Sequence, residues 1–295
     1  MHDSKRQVLV TGPSGFVGSR ILQNSADNRI NWIPWSTRIS SELPEHHIDS
    51  IVHCAGLAHQ MKPIDDSLYF EINHRKTIEI ALQARDRGVQ NFVFLSSTKV
   101  FGDRQQGEVL DESSSCAPTD PYGESKLKAE QDLIAISTEN FIVSIVRPPL
   151  VFGPGVKGNF KSLIRLVNSP WPLPFANARN QRSVVFVDNL IALIARLLMN
   201  PIQGVFHAGE RTAPTVECMI RTLRASLCKQ PRLFSLPNFA IELLRVVAAG
   251  AINRLFDEFV VKNEWTNKHL GFEPPYGFEH GIKSTIDWYL EEIKR

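Results

Sequence analysis

Residues 8–20 read "VLVTGPSGFVGSR". An apolar run gives way to a turn carrying Gly12, Gly15 and Gly18, and the residues after it have helical spacing. Each glycine has its own reason: Gly12 permits the tight turn, Gly15 lets backbone approach a pyrophosphate, and Gly18 lets the helix sit close to the strand. The start of the helix then points its free N–H groups and positive dipole end at the phosphates. A glycine triplet alone says little. One that follows a strand and opens an amphipathic helix predicts a dinucleotide site lined by Gly12, Ser14, Gly15, Phe16 and Val17.

Outward from this turn, "QVLVTG", "SIVHCAG", "NFVFLSS" and "FIVSIVRPP" are continuously apolar, as strands covered on both faces must be. Between them, "GFVGSRILQNSA", "SLYFEINHRKTIEIALQARDRG" and "PYGESKLKAEQDLIAISTE" have helical spacing. The alternation predicts an α/β fold: a Rossmann-type doubly wound parallel sheet, with a smaller, mostly helical C-terminal substrate-binding lobe. "GPGVKGNFKSLIRLVNSPWPLPFANARN" breaks the rhythm, while "SVVFVDNLIALIARLLMN" and "GVFHAG" read as a return to the sheet. The expected division is 1–155 plus about 181–209 for the dinucleotide domain, and 156–180 plus 210–295 for the lobe.

The chain has 295 residues, 43% apolar and 22% charged, with a formal net charge of +2, and it shows no basic run of the kind that binds nucleic acid. Cys54, Cys116, Cys218 and Cys228 show neither paired spacing nor a metal-ligand pattern, so no metal is expected and reduced thiols are. The short polar lead before the first strand leaves no room for a signal peptide. "FAIELLRVVAAGAINRLF" is interrupted by Glu242, Arg245 and Asn253 and reads as an amphipathic helix facing a core rather than a span. A cytoplasmic protein with no integral membrane segment is the expectation.

At the end of the second strand, in "INWIPWSTRIS", an Asp or Glu would hold the ribose of NAD. The positions offer Trp35, Ser36, Thr37 and Arg38, and an arginine beside hydroxyls suits a 2′-phosphate, so NADP(H) is preferred over NAD(H). Residues 30–50 are too few for a further helix–strand unit, so one strand of the usual set is expected to be missing or remodelled. In "PYGESKLKAE", Tyr122 and Lys126 lie four apart on one helix face. A cation one turn away favours the phenolate and brings the tyrosine into range as an acid/base. The strand "NFVFLSS" runs into the hydroxyls of Ser97 and Thr98 and the cation of Lys99, at the carboxyl end where such sheets bind ligands. Histidines beside the cofactor strand, His53 and His59, are read as packing residues before catalysts.

The set "TGPSGFVG", "HCAG", "INHRKT", "FLSSTKVFG", "YGESK", "RPPLVFGPG" and "RSVVFVDNL" resembles the extended short-chain dehydrogenase/reductase superfamily, in its NAD-dependent epimerase/dehydratase branch. The resemblance runs over essentially the whole chain and is similar also to enzymes of bacterial surface polysaccharides. It implies Tyr122 as the proton-transferring acid/base, Lys126 as its partner on the nicotinamide ribose, and Ser97 as a hydrogen-bond partner of the reacting sugar oxygen. Cys54, Ala55, Gly56 and Pro148 would line the cofactor, and Asn73 would link helix and strand beside it. Asn159, Arg182 and Arg254 would bind the nucleotide end of a UDP-sugar, with Thr98 and Lys99 near the sugar. Where the family's dehydratases carry an acidic pair, this chain has Thr98 and Lys99, which argues against a 4,6-dehydratase. A homodimer is the family's common state.

These residues imply hydride transfer at carbon 4 of a UDP-sugar. The leading reading is reduction of a UDP-4-keto-6-deoxy-N-acetylhexosamine for O-antigen synthesis. A UDP-sugar 4-epimerase with bound NAD uses Ser97, Tyr122 and Lys126 identically and is the alternative. A non-catalytic dinucleotide sensor is the reading from another class, and a reductase of a steroid or flavonoid is the third.

Overall fold

The structure, a computed structural model, describes residues 5–23, 28–40, 42–58, 64–102, 109–176, 178–237 and 258–294. Its strands are β1 (Arg6–Thr11), β2 (Ile30–Trp35), β3 (Ser50–His53), β4 (Asn91–Leu95), β5 (Ile142–Arg147), β6 (Leu150–Phe152), β7 (Val184–Phe186) and β8 (Gly204–His207). Six form one parallel sheet in the order β2-β1-β3-β4-β5-β8. The helices used below are α1 (Phe16–Gln23), α2 (Asp66–Tyr69), α3 (Lys76–Asp86), α4 (Pro121–Ile136), α5 (Gly158–Val167), α6 (Val187–Met199) and α7 (Val216–Ser226).

Alternate strand residues bury on opposite faces, which is why these strands read as unbroken apolar runs. Leu9, Ile51, Phe92, Phe94, Val143 and Ile145 pack with Ile80, Ala84, Ala129 and Leu133 of α3 and α4. Val8, Val10, Val52, Val93 and Val146 pack on the other side with Ile21 of α1 and Leu190 and Ile194 of α6. Each fully buried Val, Leu, Ile or Phe contributes about 1.5–3 kcal/mol, so the two layers fix the height at which every strand end emerges.

The short 30–50 region has a structural counterpart. In the common doubly wound order another strand lies beyond the second. Here β2 lies at the edge, and residues 36–49 cross directly to β3 on the far side of β1. Pro34 sits in β2 opposite Val10, and a strand holding a proline is suited to an edge because proline has no N–H to donate outward.

One expectation is corrected. "SVVFVDNL" does not return to the main sheet: β7 pairs in parallel with β6 in a separate two-stranded sheet, and only β8 rejoins the six. Its three apolar residues lie under Phe152 and Phe160 rather than beside β5. Further on, the described residues are largely helical, with Glu264–Leu270 and Phe278–Glu292 after α7. The stretch 239–256 falls outside the described residues.

Candidate active site

The glycine turn leaves no room for side chains. Gly12 has φ +66°, and a Cβ there would sit 2.9 Å from the backbone of Ala55. A Cβ on Gly18 would lie 2.3 Å from the carbonyl oxygen of Gly12, so the helix rests directly on the turn. Ser14 and Gly15 are exposed ahead of α1, Phe16 is half-buried and Val17 is buried. A helix start led by the exposed Ser14 and Gly15 fits the pyrophosphate of a dinucleotide.

The loop after β3 comes in from the other side. The side chain of Asn73 is fully buried; its Oδ1 accepts the N–H of Leu57 at 2.7 Å, and its Nδ2 donates to the carbonyl of Leu57 and to Ser125 Oγ, both at 3.1 Å. It therefore ties the 54–57 loop to α4 rather than reaching outward. It is aimed inward by a π-helical turn, Phe70–Arg75, lying between α2 and α3. Gly56 then lies so close that a Cβ on it would be 3.4 Å from Lys126 Nζ. Cys54 is half-buried, and desolvation pushes its thiol up to about 12 against the opposing charge of Lys126. His53 bridges Thr11 Oγ1 and Thr77 Oγ1, each at 3.1 Å, and burial lowers its pKa to about 3. It is a neutral strut. His59 lies outside the described residues.

At the end of β4 the two serines part ways. Ser96 is buried and donates to Glu130, which forms a buried, doubly bonded ion pair with Arg147 of β5. Ser97, next in the chain, faces the opposite way and hydrogen-bonds to the phenol of Tyr122. It also caps the 3-10 turn Thr98–Phe101 by accepting the N–H of Lys99 at 3.2 Å. Thr98 is buried, and its N–H donates to the carbonyl of Pro148 at 3.1 Å, which holds the ends of β4 and β5 together.

Tyr122 owes its position to the start of α4. Asp120 is the N-cap, accepting the N–H of Gly123 at 2.7 Å, and Pro121 opens the helix. A cap of this kind contributes about 1 kcal/mol and removes the freedom of the first turn. The half-buried ring of Tyr122 meets Tyr69 of α2 edge-on at 6.1 Å. One turn along, Lys126 Nζ donates to the carbonyl of Leu95 at 2.9 Å and lies 4.5 Å above the ring of Phe94. Burial brings the lysine pKa down to about 8, so it still carries its charge at neutral pH.

Here the structure corrects the expected acid/base tuning. Burial pushes the Tyr122 phenol up to about 12, Asp120 and Tyr69 add to the rise, and only the Ser97 hydrogen bond opposes it. At neutral pH the phenol therefore keeps its proton. Lys99 is also placed: its Nζ lies 3.4 Å from Asp120 Oδ2, an ion pair at the start of α4 rather than a cation turned to solvent.

The remaining expected residues stand on other elements. Asn159 is exposed in the first turn of α5, and Arg182 is half-buried just before β7. Its neighbours Gln181 and Ser183 line a cavity of about 230 Å³ together with Glu210, Arg211 and Lys262. Arg38 is exposed in the turn after β2, with Trp35 buried behind it. Arg254 lies outside the described residues. Sequence reading missed the partners Asp120, Ser125 and Glu130. Asp120 alone left a signal, as an Asp-Pro pair opening a helix.

A six-stranded parallel sheet, a glycine turn at the first strand and a tyrosine–lysine helix beside a strand-end serine define a Rossmann-type enzyme fold. The model of the family described as "NAD dependent epimerase/dehydratase family" matches residues 8–209, and the chain belongs to that family. A UDP-glucose 4-epimerase of Vibrio cholerae is 32% identical to it, over 98% of this chain and 97% of that protein. Among solved structures, MoeE5 in complex with UDP-glucose and NAD has a TM-score of 0.75 at 21% identity, covering 97% of this chain and 99% of that one. RMD from Pseudomonas aeruginosa complexed with NADPH has a TM-score of 0.78 at 18% identity, covering 96% and 99%.

Proposed function

We propose that the protein is a UDP-sugar 4-epimerase, which oxidises the hydroxyl at carbon 4 and reduces the resulting ketone from the opposite face. The observation that carries this reading is the end-to-end similarity to the Vibrio cholerae UDP-glucose 4-epimerase, joined to the Ser97–Tyr122 contact with Lys126 one turn away. A bound nicotinamide dinucleotide supplies the hydride acceptor and donor. The chain supplies everything else. Ser97 Oγ holds the sugar oxygen, and Tyr122, as the phenolate, takes the hydroxyl proton and later gives it back; for the first step the positive charge of Lys126 has to draw the phenol down from about 12. The exposed first turn of α5 with Asn159, and Arg182 beside the 230 Å³ cavity, are the proposed contacts for the UDP end, since a guanidinium matches phosphate oxygens and keeps its charge.

A second reading, reduction of a UDP-4-keto sugar by NADPH, is favoured by one observation. No carboxylate stands in the turn after β2, where Ser36, Thr37 and exposed Arg38 follow buried Trp35. One experiment separates the two. Purified protein is given a UDP-hexose, then a UDP-4-keto-6-deoxy sugar with NADPH or NADH. Interconversion of the carbon-4 epimers without net cofactor consumption supports the epimerase. Stoichiometric NADPH oxidation with the keto sugar alone overturns it in favour of the reductase.

A further inference from the structure

Lys99 and Asp120 join into a closed ring of contacts with the catalytic pair. Lys99 N–H donates to Ser97 Oγ, and Ser97 hydrogen-bonds to the Tyr122 phenol. Tyr122 follows Asp120 in the first turn of α4, and the Asp120 carboxylate returns to Lys99 Nζ at 3.4 Å. The backbone closes the same ring. A Cβ on Gly123 would lie 2.6 Å from the carbonyl oxygen of Lys99, so the Ser97 turn is pressed against the helix immediately behind Tyr122. Asp120 also divides its oxygens: Oδ1 accepts the Gly123 N–H, while Oδ2 faces the lysine.

We propose that Lys99 and Asp120 are a positioning pair that locks the Ser97 turn to the Tyr122 helix and offsets a charge beside the phenol. The proposal deepens the hydride-transfer reading and rests on it for its kinetic arm only. An anion at Asp120 disfavours the phenolate, and a cation on Lys99 relieves that effect. Among the described residues, Tyr69 on α2 and Lys126 one turn along the same helix also stand near the phenol, and neither is altered by changing the pair. Asparagine caps helices about as well as aspartate, so Asp120→Asn removes the charge and keeps the helix start.

The test needs no substrate. Thermal unfolding of the native protein, Lys99→Met, Asp120→Asn and the double variant forms a cycle that reads the coupling of the pair directly. Each single variant is expected to lower the melting temperature, and the double variant to lose clearly less than the sum of the two, while Lys99→Arg stays close to native. With a turned-over UDP-sugar, Lys99→Met lowers kcat about tenfold and leaves KM nearly unchanged, because the loss falls on geometry at the reacting centre. The proposal is overturned by losses that simply add in the double variant. It is equally overturned by a Lys99→Met effect confined to KM, which would make Lys99 a substrate ligand. If no UDP-sugar is turned over, the proposed reaction fails while the cycle still decides the fate of the pair.

Discussion

The ends of β4 and β2 lie on the same edge of one sheet and are built in opposite ways. At β4 each polar group has a fixed partner: Ser96 with Glu130, Ser97 with Tyr122 and Lys99, Thr98 with Pro148, and the Leu95 carbonyl with Lys126. At β2 the chain leaves a buried Trp35 into half-buried Ser36 and Thr37 and exposed Arg38, and among the described residues no strand lies outside it. A group held among buried partners acts at low dielectric and at fixed distance, whereas an exposed cation at a sheet edge is screened and mobile. Chemistry should therefore depend steeply on the β4 end, and cofactor choice only shallowly on the β2 end.

The largest effect that can break this contrast is at Tyr122. Tyr122→Phe removes the group proposed to transfer the proton and should lower kcat about a thousandfold, within the range for general acid–base catalysis, with the melting temperature close to native. Next comes the buried pair below the serines. Glu130→Gln leaves Arg147 charged and 7% exposed, and urea unfolding should show a loss of about 3–5 kcal/mol. Ser97→Ala should cost about ten- to a hundredfold in kcat with little loss of stability, while Ser96→Ala should do the reverse, appearing in the unfolding midpoint and hardly in kcat. Equal kinetic losses at both serines would erase the distinction between them.

Acid is the next test. The His53 pKa is about 3 when folded against an ordinary 6.5, so the unfolded chain takes up a proton that the native one refuses. Its stability contribution is whole above pH 6.5 and declines towards pH 3, by at most about 1.4 kcal/mol per pH unit. A His53→Gln variant should flatten that part of the curve of stability against pH. The smallest effect belongs to the β2 end. Arg38→Ser should change the ratio of NADPH to NADH affinity by tenfold at most, about 1.4 kcal/mol, because the side chain is exposed. A hundredfold change there would make the two strand ends alike.

How far these two ends were legible follows from their physics. β1, β3, β4, β5 and β8 announce themselves because a parallel strand buried on both faces has to be continuously apolar. The glycine turn is legible because close backbone approach excludes a Cβ, and Tyr122, Lys126 and Ser97 because their types and spacing match a family pattern. The pairing of β7 with β6 was not legible, since three apolar residues do not name their neighbour. Asn73 was legible as a link through the family pattern, but the π-helical turn that aims it inward was not. The raised Tyr122 pKa escaped for a similar reason: the sequence shows the cation four residues away and hides the burial that outweighs it. The link from Lys99 to Asp120 joins the turn after a strand to a helix cap far along the chain, and no local pattern carries it.

The most direct test of the central claim follows the hydrogen on carbon 4. Native protein and Tyr122→Phe are each incubated with UDP-glucose deuterated at that carbon, and the products are read by NMR and mass spectrometry. The account predicts the carbon-4 epimer with its deuterium retained, and no conversion in the variant. Loss of the label to solvent, or conversion that persists without the Tyr122 hydroxyl, would contradict it.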